Sequence, residues 1–318
     1  MLDVRHFKNI RSHFIRKKVT EIEKMGTKNK LKPFVKWAGG KTQLIPEIVD
    51  RFPDMSTIDT YVEPFVGGGA MLFYVLENYP HVKCVINDIN KDLINAYQVI
   101  RFNPKQFLFK LKELEDTYNF NQYDEERAAF YYNMRDTYND EELRGVDREQ
   151  QAAMFIALNK LGFNGLYRLN KDGKFNVPWG KKKELHIYNP DYFNNVSKAL
   201  KNVFIMNSYY SNTEKYAEKN TLYYLDPPYK PLDTTKSKLN QYTSSGFDNE
   251  EQVKLKLFCD KISDKGSKLI LSNSDTEDGF FDNLYNKDYR IEKVEARRAI
   301  NCKSDKRGKI NELIITNF

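Results

Sequence analysis

Along this chain the spacing of apolar positions switches between strand and helix periods, and the switches mark its elements. The sharpest is a continuous apolar and aromatic run, Leu222-Tyr223-Tyr224-Leu225, that stops at Asp226-Pro227-Pro228-Tyr229. A short unbroken run of this kind predicts a strand buried on both faces. Two prolines can neither donate to a ladder nor continue it. The pattern therefore puts Asp226 and Tyr229 at the carboxyl end of a buried strand, the edge at which open α/β sheets bind ligands. Further strand patterns fall at Tyr61-Val62, at residues 82–86 and at residues 268–273, and two more are expected within 297–318 around a basic turn holding Lys303, Lys306, Arg307 and Lys309. Helical spacing is predicted at residues 71–76, at 91–97 and at a stretch ending near Phe258. It also covers the charged stretch 101–158, where Phe107, Leu108, Leu111 and Leu114 form one stripe and Ala152, Ala153, Phe155, Ile156 and Leu158 another.

Two glycine-rich stretches change this picture. Tyr61-Val62-Glu63-Pro64-Phe65-Val66-Gly67-Gly68-Gly69-Ala70 reads as strand, turn and helix start, with no Cβ atoms to keep a ligand off the turn. The next strand ends in Asn87-Asp88, and an acidic side chain about 20 residues past such a turn commonly binds a ribose diol. Equally, Asp88 or Asn90 fits the N-cap of the helix that follows. The other stretch, Lys36-Trp37-Ala38-Gly39-Gly40-Lys41, lacks the spacing of a phosphate-binding Walker loop, so nucleoside triphosphate hydrolysis is not indicated.

Chemically, Asp226-Pro227-Pro228-Tyr229 suits a planar exocyclic amine. A carboxylate and a backbone carbonyl can accept its N–H bonds while an aromatic ring stacks on the base, and proline adds no competing donor. A strand followed by a proline-rich turn, with Tyr229 as packing, explains the same residues equally well. Glycines, basic side chains and aromatics interleave over 159–183, and Lys171-Asp172-Gly173 predicts a β-hairpin there. Such a hairpin can read a groove or serve only as a soluble surface feature. Residues 236–247 are polar and long enough to fold over a bound base.

Composition narrows the class. The chain has 318 residues, 40% hydrophobic and 30% charged, as expected of a globular protein. Its formal charge of +7 makes a polyanion a reasonable partner. No apolar run approaches the roughly 20 residues of a membrane span. Three dispersed cysteines and four histidines suggest no metal centre and a reducing, cytoplasmic setting. Residues 1–30 place Val4, Phe7, Ile10, Phe14 and Ile15 at helical spacing among basic side chains and are expected to form an extension outside the folded body.

Taken in order, Lys36-Trp37-Ala38-Gly39-Gly40-Lys41, Glu63-Pro64-Phe65-Val66-Gly67-Gly68-Gly69-Ala70, Asn87-Asp88, Asn164-Gly165-Leu166-Tyr167-Arg168, Phe175-Asn176-Val177-Pro178 and Asp226-Pro227-Pro228-Tyr229 resemble the Dam-type, D12-class family of DNA adenine-N6 methyltransferases. The resemblance covers roughly residues 31–318 and is closest to the GATC-modifying restriction–modification branch. It implies an α/β fold: a Rossmann-like methyltransferase core at 31–97 and 189–318, and a mostly helical target-recognition insertion at 98–188 carrying the hairpin. It implies S-adenosyl-L-methionine as cofactor, held by Trp37, Lys41, Phe65, Gly67, Gly69, Asp88 and Asp226. It implies catalysis by Asp226, Pro227, Pro228 and Tyr229 on a flipped adenine. It implies contact with double-stranded DNA through Lys36, Asn164, Leu166, Arg168 and Lys181, with Arg168 reading guanine. A monomer or weak dimer is expected, and a cognate restriction endonuclease need not touch it. An RNA substrate, another DNA motif or a non-catalytic DNA-binding relative are the alternatives. The chain departs from the family where the hairpin commonly continues Gly-Arg-Tyr and here reads Gly180-Lys181-Lys182. Lysine cannot fill a stack as tyrosine does, so Trp179 or Tyr188 is the expected substitute.

Overall fold

The computed structural model describes residues 30–318 apart from 38, 42, 143–144, 231–246, 277, 286 and 298–308. The N-terminal extension, nearly all of the expected loop at 236–247 and the basic turn with Lys303, Lys306 and Arg307 lie outside the described residues.

Strands β1 (Thr60–Glu63), β2 (Lys83–Asn87), β3 (Phe204–Met206), β4 (Thr221–Leu225), β5 (Lys268–Ser274), β6 (Arg290–Arg297) and β7 (Lys309–Thr316) form one sheet in the order β3-β2-β1-β4-β5-β7-β6. The first five are parallel to one another, and β7 runs antiparallel between β5 and β6. The fold is thus mixed α/β on a mostly parallel sheet. One expectation is corrected: the strand before the basic turn lies at 290–297 rather than beyond 297. Its alternation carries charge at Arg290, Glu292, Lys293 and Glu295, which weakens an apolar signal on this sheet edge.

The unbroken apolar run of β4 has a physical cause. Leu222 and Tyr224 join the core on one face of the sheet, while Tyr223 and Leu225 join a second core on the other. Successive side chains of a strand point to opposite faces, so a strand between two cores must be apolar throughout. The register pairs Val62 with both Val85 and Tyr223, and Leu225 with Leu271. The carboxyl ends of β1, β2, β4 and β5 therefore open along one edge.

Helices α1 (Ile45–Val49) and α2 (Ala70–Asn78) flank β1, and α3 (Lys91–Phe102) follows β2. Next come α4 (Pro104–Phe120), α5 (Asp124–Asn139), α6 (Arg148–Leu161) and α7 (Pro190–Leu200) before the chain returns to β3. The expected boundary at residue 98 falls within α3. Phe107 and Leu111 of α4, Tyr131 and Tyr138 of α5 and most of α6 belong to the same apolar cluster as the first sheet face. That helical layer is therefore fused to the core. Helix α6 is buried from Gln151 to Asn159, as a helix surrounded by α3, α4 and α5 must be. Helices α8 (Asn249–Asp264) and α9 (Phe280–Tyr285) cover the other face.

Around residues 171–173 the chain turns back on itself through a single antiparallel bridge, Leu169 to Phe175. The Asn170 side chain closes the turn by accepting from the Asp172 and Lys174 N–H groups.

Candidate active site at the carboxyl edge of the sheet

The turn after β1 is shaped by what glycine lacks. Gly67 and Gly69 have φ of 49° and 78°. A Cβ on Gly67 would stand 2.8 Å from Trp37 Cδ1, and one on Gly69 only 2.3 Å from the Tyr97 hydroxyl. The Trp37 ring thus lies directly on the glycine turn, and it also stacks on Tyr167 at 5.5 Å with an interplanar angle of 28° and packs against Phe155 at 6.4 Å. Phe65 packs against Tyr210 and Phe247, with ring centroids 5.1 and 6.1 Å away.

Asp88 leaves β2 beside this turn. Its Oδ2 accepts the Gly67 N–H at 3.0 Å and its Oδ1 the Asn90 N–H at 2.9 Å. Burial lifts its carboxyl to about pKa 6, against those backbone donors, which lower it. The question of the helix cap is resolved: Asn90 caps α3 by accepting from Asp92 and Leu93 N–H. Asp88 remains at the ligand turn, with acceptor capacity beyond the backbone N–H groups it already takes.

Asp226 emerges from β4 into a charged cluster. Lys41 Nζ is 3.0 Å from its Oδ1 and lies 4.3 Å from the Tyr229 ring centroid. Burial raises the Asp226 carboxyl to about 6; Lys41 opposes that rise and Glu312 adds to it. The Tyr229 hydroxyl donates to Glu312 Oε2 at 2.7 Å. Tyr224 OH lies 3.0 Å from Ser272 Oγ, which sits beneath Asp226. Pro227 is buried and Pro228 exposed. Nearby, burial drives the Glu63 carboxyl well above the usual range, and its Oε2 accepts from Tyr61 OH. The expected cofactor residues thus form two groups, Trp37, Phe65, Gly67, Gly69 and Asp88 at the turn after β1 and Lys41 with Asp226 at the end of β4, where the expected catalytic Tyr229 joins them.

The expected DNA-contacting residues gather around a second turn, at the end of α6. Gly180 N–H donates to the Leu161 carbonyl, and Phe163 N–H to Pro178, so residues 178–181 run beside 161–163. Asn164 and Lys181 are exposed with φ of 56° and 52°. Lys36 is exposed and crosses Gly165, whereas Leu166 is half-buried against the core. Arg168 is held from one edge, Nε donating to Asn176 Oδ1 at 2.7 Å and Nη2 to the Asn176 carbonyl.

Several placements here add to or differ from the expectations. Phe163 is an exposed aromatic between Gly162 and Asn164. Trp179, expected as a possible wedge, is half-buried against the core and spends its Nε1–H on Tyr118 OH. Lys160 is pushed down in pKa by burial and by the positive charges of Lys36 and Lys32. None of these three lysines appears in an ion pair among the described residues. Glu312 lies in β7, within the 297–318 stretch expected to hold strands, with no site role expected of it. The signal for each was weak because their partners are distant in sequence.

A family profile matches residues 37–300: D12 class N6 adenine-specific DNA methyltransferase. The chain belongs to that family, whose members are adenine-specific DNA methyltransferases that use S-adenosylmethionine as methyl donor. Among its relatives is the type II methyltransferase M.MjaIII of Methanocaldococcus jannaschii, 44% identical over 91% of this chain and 99% of that protein. The type II methyltransferase M1.LlaDCHI of Lactococcus lactis is 37% identical over 92% and 98%. A DNA adenine methylase of Haemophilus influenzae is 33% identical over 92% and 96%. Among the described residues no helix is long and apolar enough to cross a membrane, and no cluster of His, Cys, Asp or Glu suits a metal ion.

Proposed function

We propose that this protein methylates N6 of the adenine in GATC in duplex DNA, turning the base out of the stack to reach it. The observation that carries the reading is the Asp226–Lys41–Tyr229 cluster at the end of β4. S-adenosylmethionine supplies an electrophilic methyl group, and Trp37, Lys41, Phe65, Gly67, Gly69, Asp88 and Asp226 are the residues that would hold it. They fit it: a turn stripped of Cβ atoms, an indole lying on it, a carboxylate with spare acceptor capacity and a lysine cation.

In this reading the Asp226 carboxylate and the Pro227 carbonyl accept the N–H bonds of the adenine amine. That concentrates electron density on a nitrogen whose lone pair otherwise spreads into the ring. Pro228 adds no competing N–H, and Tyr229 stacks on the base with its ring held by Glu312. Catalysis is then positioning and electrostatics rather than a covalent enzyme intermediate.

Residues 31–97 with 189–318 act as the catalytic part and 98–188 as the recognition part. Lys36, Lys160 and Lys181 face phosphates or outer bases, Asn164 and Leu166 shape the turn, and Arg168 reads guanine by a bidentate contact. Phe163, exposed and next to this group, is a better wedge than Trp179. The GATC assignment rests on the resemblance of Lys36 and of Asn164-Gly165-Leu166-Tyr167-Arg168 to GATC-modifying enzymes. A monomer acts on the site, and a restriction endonuclease cleaving the same sequence is its natural counterpart.

Transfer of labelled methyl groups to unmethylated plasmid DNA, with modified positions mapped by single-molecule sequencing, tests this. N6-methyladenine confined to GATC is expected. Methylation at another motif would remove the specificity and keep the chemistry, and transfer to RNA but not DNA would overturn the substrate.

A further inference from the structure

Asn159 lies near the end of α6, 1% exposed, on a helix whose buried residues are mostly apolar. A buried primary amide is costly unless its donors and acceptor are met. Here they are met by loop backbone rather than by side chains. Asn159 Oδ1 accepts the Lys36 N–H at 2.8 Å, and Nδ2 donates to the Lys36 carbonyl and the Gly165 carbonyl, both at 2.9 Å. The amide therefore grips both polar groups of Lys36 and ties them to the 163–166 turn. Gly165 completes the joint: with φ of 67°, a Cβ there would stand 2.5 Å from Lys36 Cδ. The Lys36 stem thus rests on bare backbone.

Resting on the reading of Lys36 and Arg168 as DNA contacts, we propose that Asn159 is a specificity-positioning residue. It joins Lys36, from the loop before α1, to the recognition turn at the end of α6, so that both meet the duplex as one rigid reader. Hydrogen-bond readout of base edges needs the reading atoms fixed to a fraction of an ångström, and a lysine on an unanchored loop could not supply that. Asn159 touches no base in this proposal; it acts through Lys36 and Gly165. Trp37, the next residue, is held separately by Tyr167 and the glycine turn. Loosening Asn159 should therefore disturb target choice before cofactor binding.

The test uses the full chain and the site mapped for the wild type, whatever its sequence, on duplexes carrying that site or one changed base pair. Asn159→Ala is expected to lower discrimination about tenfold, of the order of one lost recognition contact, with cofactor affinity and the maximal rate on the mapped site within about twofold of wild type. Gly165→Ala, which displaces Lys36 from the other side without opening the core, is expected to do the same. A purely structural Asn159 would lower thermal stability and leave discrimination per folded molecule unchanged; that result overturns the proposal. In a double-mutant cycle, Lys36→Ala should make Asn159→Ala no worse, whereas additive losses would also overturn it. If Asn159→Ala does not fold, Gly165→Ala with wild-type discrimination decides against the proposal. Lys36→Ala and Arg168→Ala serve as controls: discrimination unchanged in both means that the reading of the DNA contacts has failed.

Discussion

The carboxyl edge of the sheet and the turn at the end of α6 hold their polar groups in different ways. At the edge, charged side chains meet directly: Lys41 reaches Asp226 at 3.0 Å, Tyr229 reaches Glu312 at 2.7 Å, and burial moves the carboxyls of Asp88 and Asp226 to about pKa 6. At the turn, Lys36, Asn164 and Lys181 are exposed and it is backbone that is held, by Asn159, by Gly180 and by left-handed residues, with Arg168 alone tied through its side chain to Asn176. A buried charged cluster concentrates its effect on single groups, because each lost partner leaves another uncompensated. An exposed, backbone-anchored surface spreads its effect over several contacts, each worth little alone.

The largest difference between the two regions should appear on removing Asp226. Asp226→Ala deletes the carboxylate that accepts the amine N–H and leaves the Lys41 cation without its counter-charge, held by the Gly39 carbonyl beside the Tyr229 ring. Methyl transfer is expected to fall by at least about a thousandfold, the scale of losing a preorganised electrostatic group, while circular dichroism and cofactor-free melting show a folded protein. A folded Asp226→Ala enzyme with near-wild-type rates would end the mechanism. Arg168→Ala is the matching experiment at the turn. It should leave the rate on the best site within about tenfold and cost about 1–3 kcal/mol of discrimination at one base position. Unchanged discrimination would show that Arg168, already held by Asn176, does not read a base.

How well each region can be read from sequence follows from the same contrast. The glycine turn, Asp88 and Asp226-Pro227-Pro228-Tyr229 are local: a run of neighbouring residues carries the backbone geometry and the chemistry together. Strand β4 was legible because a strand between two cores must be apolar at every position. Glu312 was not, since its partner Tyr229 is 83 residues away. Nor was Asn159, whose partner Lys36 is 123 residues away; within α6 it looks like one polar residue in a buried helix. Strand β3 is too short for a periodic signal, and α7 carries only Phe193, Val196 and Leu200 as buried markers. Phe163 was one of several aromatics interleaved with basic residues over 159–183, and nothing in the sequence singles it out as the exposed one beside a left-handed Asn164.

The smallest expected effect probes the coupling inside the charged cluster itself. Activity needs Asp226 ionised, and burial has raised its pKa to about 6, so rates should rise with pH through that value. Glu312 contributes to the rise by charge, and it also accepts the Tyr229 hydroxyl. Glu312→Gln keeps an acceptor of the same shape and removes the charge. With a negative neighbour gone, the ionised form of Asp226 is favoured, its pKa falls, and the acid limb of the single-turnover rate moves to lower pH. The plateau above the limb should change little, because the ring of Tyr229 is still held. A limb that stays in place, or moves to higher pH, would mean that Glu312 acts only as a tether for Tyr229. Loss of the plateau with an unmoved limb would mean that ring orientation, rather than charge, is what β7 contributes to the site.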